Sequence, residues 1–172
     1  LRKSRGLTLG DMAERLDKSV GWLSQVERDI SAPRISDLQA MAAALDVPLS
    51  LFFGAHAAPP EERGLIVRAG SGRTMGVADS GLVETLLSPD LTDDFEVIHS
   101  TFQPGARRDK PMRRDTQELA YLLSGQLEVW IDEKPFSIRA GDSFRLRGQT
   151  YRWHNPHDVP AVAVWIISPP VY

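Results

Sequence analysis

The chain has 172 residues, with 20 Lys and Arg against 23 Asp and Glu, a net charge of −3, 42% hydrophobic residues and no cysteine. That length suits one large or two small domains, and the apolar content is enough for a true core. Disulfides, thiolate metal sites and a bulk electrostatic pull toward polyanions are excluded, and neither a bilayer-length apolar run nor a charged-then-apolar leader is present, so a reducing cytoplasm is the expected setting.

Leu1 to Arg5 reads as the end of a first helix; because the chain opens on Leu rather than Met, the start of that helix is expected upstream. Thr8 with Asp11 forms a capping-box pattern, and Met12, Ala13 and Leu16 follow as one apolar face at helical spacing. Asp17 and Lys18 leave room only for a tight turn before Ser19, the cap of a second helix that buries Leu23 and Val26. Two helices so closely joined touch near the middle of the first, which is where the small Ala13 falls. Such turns often carry glycine, and Asp17 is a residue that tolerates a left-handed backbone. Ser36 with Gln39 repeats the capping pattern and opens a further helix through Leu38, Met41, Ala42 and Leu45. Val47, Leu49, Leu51 and Phe52 are expected to close a small five-helix core.

The residues Ser19, Leu23, Ser24, Glu27, Arg28, Pro33, Leu38, Ala42, Ala44 and Leu45 together resemble the DNA-binding domain of the phage-repressor-like (XRE) regulators. The resemblance covers roughly the first third of the chain and implies that the second helix of the motif enters a major groove. Ser19, Val20, Gly21, Trp22, Ser24 and Gln25 then occupy its exposed start and outer face. Gln25 suits a base edge, Ser19 and Ser24 a phosphate or base, and Val20 a thymine methyl. Trp22 either stacks on the sugar-phosphate wall or packs against the third helix. Arg5, Lys18 and Arg34 are the phosphate candidates, and Thr8 is counted with the DNA-facing residues. Leu9 stands where many relatives place a phosphate-binding glutamine. Glu27 and Arg28 are expected to brace the helix rather than read bases. The domain is nearly charge-balanced, so affinity must come from where its cations sit and from a homodimer reading a palindromic operator.

Residues 54–64, GAHAAPPEERG, read as a boundary of small residues, a proline pair and acids that cannot build a core. We therefore divide the chain into a domain at 1–55, a linker at 56–64 and a second domain at 65–172. Beyond the linker the periodicity turns to short strands: LIVRAG, LVETLLS, EVIHSTF, ELAYLLS, QLEVWID, FSIRAG, DSFRLR, TYRWHN and AVAVWIIS, separated by turn residues.

Gly105, Glu118 and Gly125, followed by Gly141 and Asn155, resemble the two sequence motifs of the cupin family of small β-barrels. The full fold expectation is thus an all-α five-helix helix-turn-helix domain followed by an all-β cupin barrel, a double-stranded β-helix. Counting back from Glu118 and from Asn155, the family's metal-binding histidines fall at Met112, Arg114 and Tyr151, and none is histidine. A thioether, a guanidinium and a phenol do not make a donor set for divalent iron, manganese or zinc. No metal or other cofactor is therefore expected, and no enzymatic activity. His99 and His154 are the substitute donors to consider, but strand alternation puts His154 on the face opposite Tyr151. If the family's inward positions hold, Met112, Arg114, Glu118, Ala120, Tyr151 and Trp153 line the barrel. Arg114 either captures the acidic or polar group of a metabolite, with Tyr151 and Trp153 on its body, or simply pairs with Glu118. Arg107, Arg108 and Arg113 are expected in solvent.

The resemblances imply a transcription regulator, a repressor more often than an activator, whose barrel senses a small molecule and supplies the dimer contact. LVETLLS and AVAVWIIS are the candidate contact strands. Two rivals stand beside it: a metal-dependent cupin enzyme with a DNA-binding appendage, and an antitoxin-like autorepressor.

Overall fold

The computed structural model describes residues 1–3, 5–47, 49–52, 58–77, 81–91 and 93–171. The chain forms two compact units, Leu1–Gly54 and Ala55–Val171. Residues 53–55 of the first domain and the first two residues of the linker, 56 and 57, lie outside the described residues.

The first unit contains α1 (Leu9–Arg15), α2 (Val20–Glu27) and α3 (Ile35–Leu45). Met12, Ala13, Leu16, Leu23, Met41, Ala42, Leu45, Val47 and Leu51 form its core. The Thr8 hydroxyl accepts from the Asp11 amide at 3.1 Å, and the Asp11 carboxylate accepts from the Thr8 amide at 2.7 Å, so the capping box is closed in both directions. Asp17, Asp29 and Asp46 follow the three helices with φ of 52°, 58° and 55°, the left-handed conformation that ends a helix.

Two expectations are corrected here. Among the described residues there are three α-helices, not five. The described residues before Thr8 are in turns rather than a helix, with Gly6 at φ 68°, and Leu49–Phe52 forms a single 3-10 turn. Left-handed Asp46 has already broken α3 there, and the next proline in the sequence leaves too short an apolar run for another α-helix. Nor does α3 open at Ser36 with Gln39. It starts at Ile35, where the Asp37 carboxylate accepts from the Arg34 amide at 3.0 Å. An ionised acceptor at that position outcompetes a neutral hydroxyl.

The second unit is a sandwich of two antiparallel sheets. Its strands are β1 (Arg73–Val77), β2 (Leu82–Leu86), β3 (Glu96–Phe102), β4 (Arg107–Met112), β5 (Gln117–Ser124), β6 (Gln126–Ile131), β7 (Lys134–Arg139), β8 (Ser143–Arg147), β9 (Tyr151–His154) and β10 (Ala161–Ser168). One sheet runs β1-β2-β3-β10-β5-β8 and the other β4-β9-β6-β7. Alternation is clean on the central strands: Ala161, Ala163, Trp165 and Ile167 of β10 point inward, as do Glu96, Ile98, Ser100 and Phe102 of β3. Edge-to-face pairs Phe102–Trp153 and Phe144–Trp165, with centroids 4.7 and 5.4 Å apart, join inward aromatics in this core. LIVRAG is not a strand. Leu65 and Ile66 are exposed, and their amides bond back to the Glu62 carbonyl, so the apolar letters mark a turn. Conversely, β1 and the polar β4 are strands that composition did not announce.

Buried Asn155 ties the barrel's loops together. Its side-chain amide donates to the carbonyls of Phe102 and Val159 at 2.9 Å, and its oxygen accepts from the His157 amide at 3.1 Å. That accounts for an asparagine at this point of the second motif without any ligand.

Candidate nucleic-acid interface and ligand cavity

The start of α2 is built as a protruding edge. The Ser19 hydroxyl accepts from the Trp22 amide at 3.1 Å, which fixes the first turn while leaving its own hydrogen available to donate. Val20, Gly21 and Gln25 are exposed, while Trp22 and Ser24 are half-buried. Thr8, Arg5 and Arg34 are exposed as well. Lys18 is exposed but engaged by its own chain: its ammonium lies 2.9 Å from the Asp37 carboxylate and 5.1 Å from the centroid of the Trp22 ring. Lys18 and the backbone amide of Arg34 hold the Asp37 carboxyl below its ordinary range. Trp22 thus belongs to a junction linking the turn before α2 to α3. Glu27 braces the fold in an unforeseen way, taking two hydrogen bonds from the Arg2 guanidinium at 2.6 and 2.9 Å. Arg28 folds back onto the Ser24 carbonyl at 3.1 Å.

The barrel holds a small cavity, part of it open to solvent, lined by Leu82, Glu84, Phe102, Arg108, Met112, Arg114, Glu118, Tyr151, Trp153, Trp165 and Ile167. Met112, Arg114, Glu118, Tyr151 and Trp153 are therefore brought together as the inward positions implied. Ala120 is inward and buried but is not among the lining side chains. His99 and His154 lie on the alternate, half-buried positions of β3 and β9, away from the cavity.

The geometry of the charges is loose. Arg114 stands 3.9 Å from Glu118, too far for a hydrogen bond. Glu118 instead accepts from the Thr116 hydroxyl at 2.7 Å and lies 3.5 Å from the Tyr151 hydroxyl. Burial pushes the ionisation of Tyr151 upward, with Arg114, Glu118, Glu84 and Arg108 all acting on it, so the phenol stays a neutral donor.

Arg108 is the main correction to the site. Expected in solvent, it is half-buried and lines the cavity, whereas Arg107 is exposed beside Asp109 and Arg113 is exposed. Its signal was available, since Arg108 and Met112 lie an even number of residues apart on one strand. Glu84 was equally legible, because Leu82 and Leu86 of LVETLLS face the core and Glu84 lies between them at period two.

Comparison with known proteins places these two units. A helix-turn-helix family model matches residues 1–52, and a cupin domain model matches residues 98–167. The HTH-type transcriptional regulator PuuR of Escherichia coli (strain K12) is 25% identical over 152 residues, covering 85% of this chain and 78% of that protein. The HTH-type transcriptional regulator SutR of the same organism is 28% identical over 151 residues, covering 85% and 77%. Among solved structures, an RmlC-like cupin from Shewanella frigidimarina NCIMB 400 matches 62% of this chain and 91% of its own, with a TM-score of 0.54 and 17% identity. At that identity the likeness speaks to the barrel fold.

Proposed function

We propose that this chain, which belongs to the XRE-type helix-turn-helix transcription regulators with a C-terminal cupin domain, is a dimeric repressor whose cavity binds a small polar or acidic metabolite. DNA binding is the work of the head; the barrel is read as a binding module rather than an active site. The observation that carries the sensing half is the pair of guanidiniums, Arg108 and Arg114, held in a concave site with aromatic walls; Arg108 makes no ion pair among the described residues, and Arg114 stands at ion-pair distance from Glu118, 3.9 Å, without a hydrogen bond to it. Planar guanidinium forks in such a setting suit bidentate capture of an oxyanion.

For the DNA half we take Ser19, Val20, Gly21, Ser24 and Gln25 as the groove-facing set, and Arg5, Thr8 and Arg34 as backbone contacts. Lys18 and Trp22 act mainly by fixing the angle of α2. A lone head of this size makes few contacts, so two heads on half-sites about one helical turn, ~34 Å, apart are needed. Support for barrel-mediated pairing comes from the outer face of the six-stranded sheet. There Leu119, Tyr121 and Leu123 of β5 are exposed, and Tyr121 and Leu119 stand in register with Val164 and Ile166 of β10. Metabolite binding regulates only if it favours one arrangement of the two heads over another.

The test is fluorescence anisotropy of the full chain on DNA from upstream of its own coding sequence, against unrelated DNA of equal length. A preference for the upstream DNA is expected, with Gln25→Ala lowering that preference by roughly tenfold and leaving unrelated DNA unaffected. Equal affinity for both DNAs at modest salt removes the proposal.

A further inference from the structure

The four charged side chains in the cavity are sorted by wall. Glu84 on β2 and Glu118 on β5 stand on the six-stranded sheet. Arg108 belongs to β4 of the four-stranded sheet, and Arg114 to the segment that joins β4 to β5. Their formal charges cancel, yet the groups do not satisfy one another. Arg108 makes no hydrogen bond or ion pair among the described residues, and Arg114 approaches Glu118 only at 3.9 Å. Glu84 accepts one hydrogen bond, from the Ser100 hydroxyl at 3.1 Å. Glu118 accepts a short one from Thr116 and a long one from Tyr151. A carboxylate has about four acceptor positions and a guanidinium five N–H donors, so both signs keep unused capacity.

A guest with a single charge fits this arrangement poorly. An anion gains the guanidiniums but meets two carboxylates in the same small space, and a cation meets the reverse. Beside the charged groups, Trp165 and Ile167 on the six-stranded sheet and Trp153 on the four-stranded sheet offer apolar surface for a short carbon frame. Resting on the reading that the cavity holds a small metabolite, we propose that its guest is a zwitterion, a small amino acid. Its carboxylate is held by Arg108 and Arg114, and its ammonium by Glu84 and Glu118. Each end is then matched by the opposite charge, and the site discriminates by leaving one wall unpaired when either end of the guest is missing.

The experiment is calorimetric titration of the full chain with α- and ω-amino acids of two to five carbons. Each is compared with the carboxylate and the amine of equal carbon number, and with ribose as an uncharged polar probe. At least one amino acid is expected to bind roughly tenfold or more tightly than both of its single-charge counterparts. Arg108→Gln should bring that amino acid down to the level of the amine, and Glu84→Gln to the level of the carboxylate, with the unfolding midpoint of each variant unchanged. A carboxylate that binds as tightly as its amino acid, and is indifferent to Glu84→Gln, overturns the zwitterion while leaving an acid-binding cavity. Binding of ribose alone overturns it while leaving a cavity for polar metabolites. Silence of every probe at millimolar concentration overturns both this inference and the sensing reading beneath it.

Discussion

Single side chains in this protein carry opposite pH signatures. Glu96 is fully buried on β3, with one carboxylate oxygen accepting from the Val171 amide at 3.0 Å and the other without a partner among the described residues. Burial pushes its carboxyl above the ordinary range; the Val171 amide and Arg114 ease that shift, while Glu84 and Glu118 add to it. A raised folded value means that its stabilising contribution is complete below the unfolded carboxylate pKa and is lost as pH rises through the folded one. Glu96→Gln is therefore expected to raise the barrel's resistance to urea at pH about 8, with wild type and variant converging as pH falls toward about 4. A gap that stays constant with pH contradicts this. Glu27 in the head behaves in the reverse sense, because the Arg2 guanidinium holds its carboxyl below the usual range. Its contribution is present above the unfolded pKa and fades as pH drops through the folded one. The aspartates at the helix ends belong to this scale too: left-handed backbone costs an L residue roughly 1–2 kcal/mol, and Asp bears it better than most.

At the level of elements, turns decide more than composition does. Gly125 joins β5 to β6 at φ 77°, and a Cβ there would lie 2.5 Å from the Pro160 carbonyl oxygen and 2.8 Å from the Ala161 Cα. Gly125→Ala is expected to cost about 2–4 kcal/mol in urea unfolding of the barrel, because strain and a backbone clash add. Gly141→Ala, at φ 94° with open space around it, should cost only the strain. Equal effects would place the penalty in the dihedral alone. Both glycines were legible as turn residues, as was the Thr8–Asp11 box, since local chemistry dictates them. What the sequence hid depends on competition or on tertiary burial. Ser36 with Gln39 read as the cap, but the ionised Asp37, accepting from the Arg34 amide, starts the helix earlier. LIVRAG has strand letters but no sheet to join, while RRDKPM has none and forms β4 because β9 pairs with it. Arg108 went unrecognised as a cavity residue because β4 was not read as a strand, although its even spacing from inward Met112 was there to be counted.

The molecule as a whole divides its tasks between a helical reader and a barrel. Because pairing is assigned to the outer sheet, Tyr121→Glu is expected to convert a dimer to a monomer in sedimentation equilibrium and to weaken operator binding, with the far-ultraviolet dichroism of the barrel unchanged. A dimer that survives this substitution puts the contact elsewhere. The Lys18–Asp37 pair has an effect that reaches beyond the protein surface. A cation already neutralised by its own chain frees few condensed ions from a duplex, so it adds little of the ~0.9 that each phosphate contact contributes to the logarithmic slope of affinity against salt. This regulator should therefore hold its operator less salt-sensitively than a tally of its basic residues near the groove would imply, trading long-range attraction for a fixed angle of insertion.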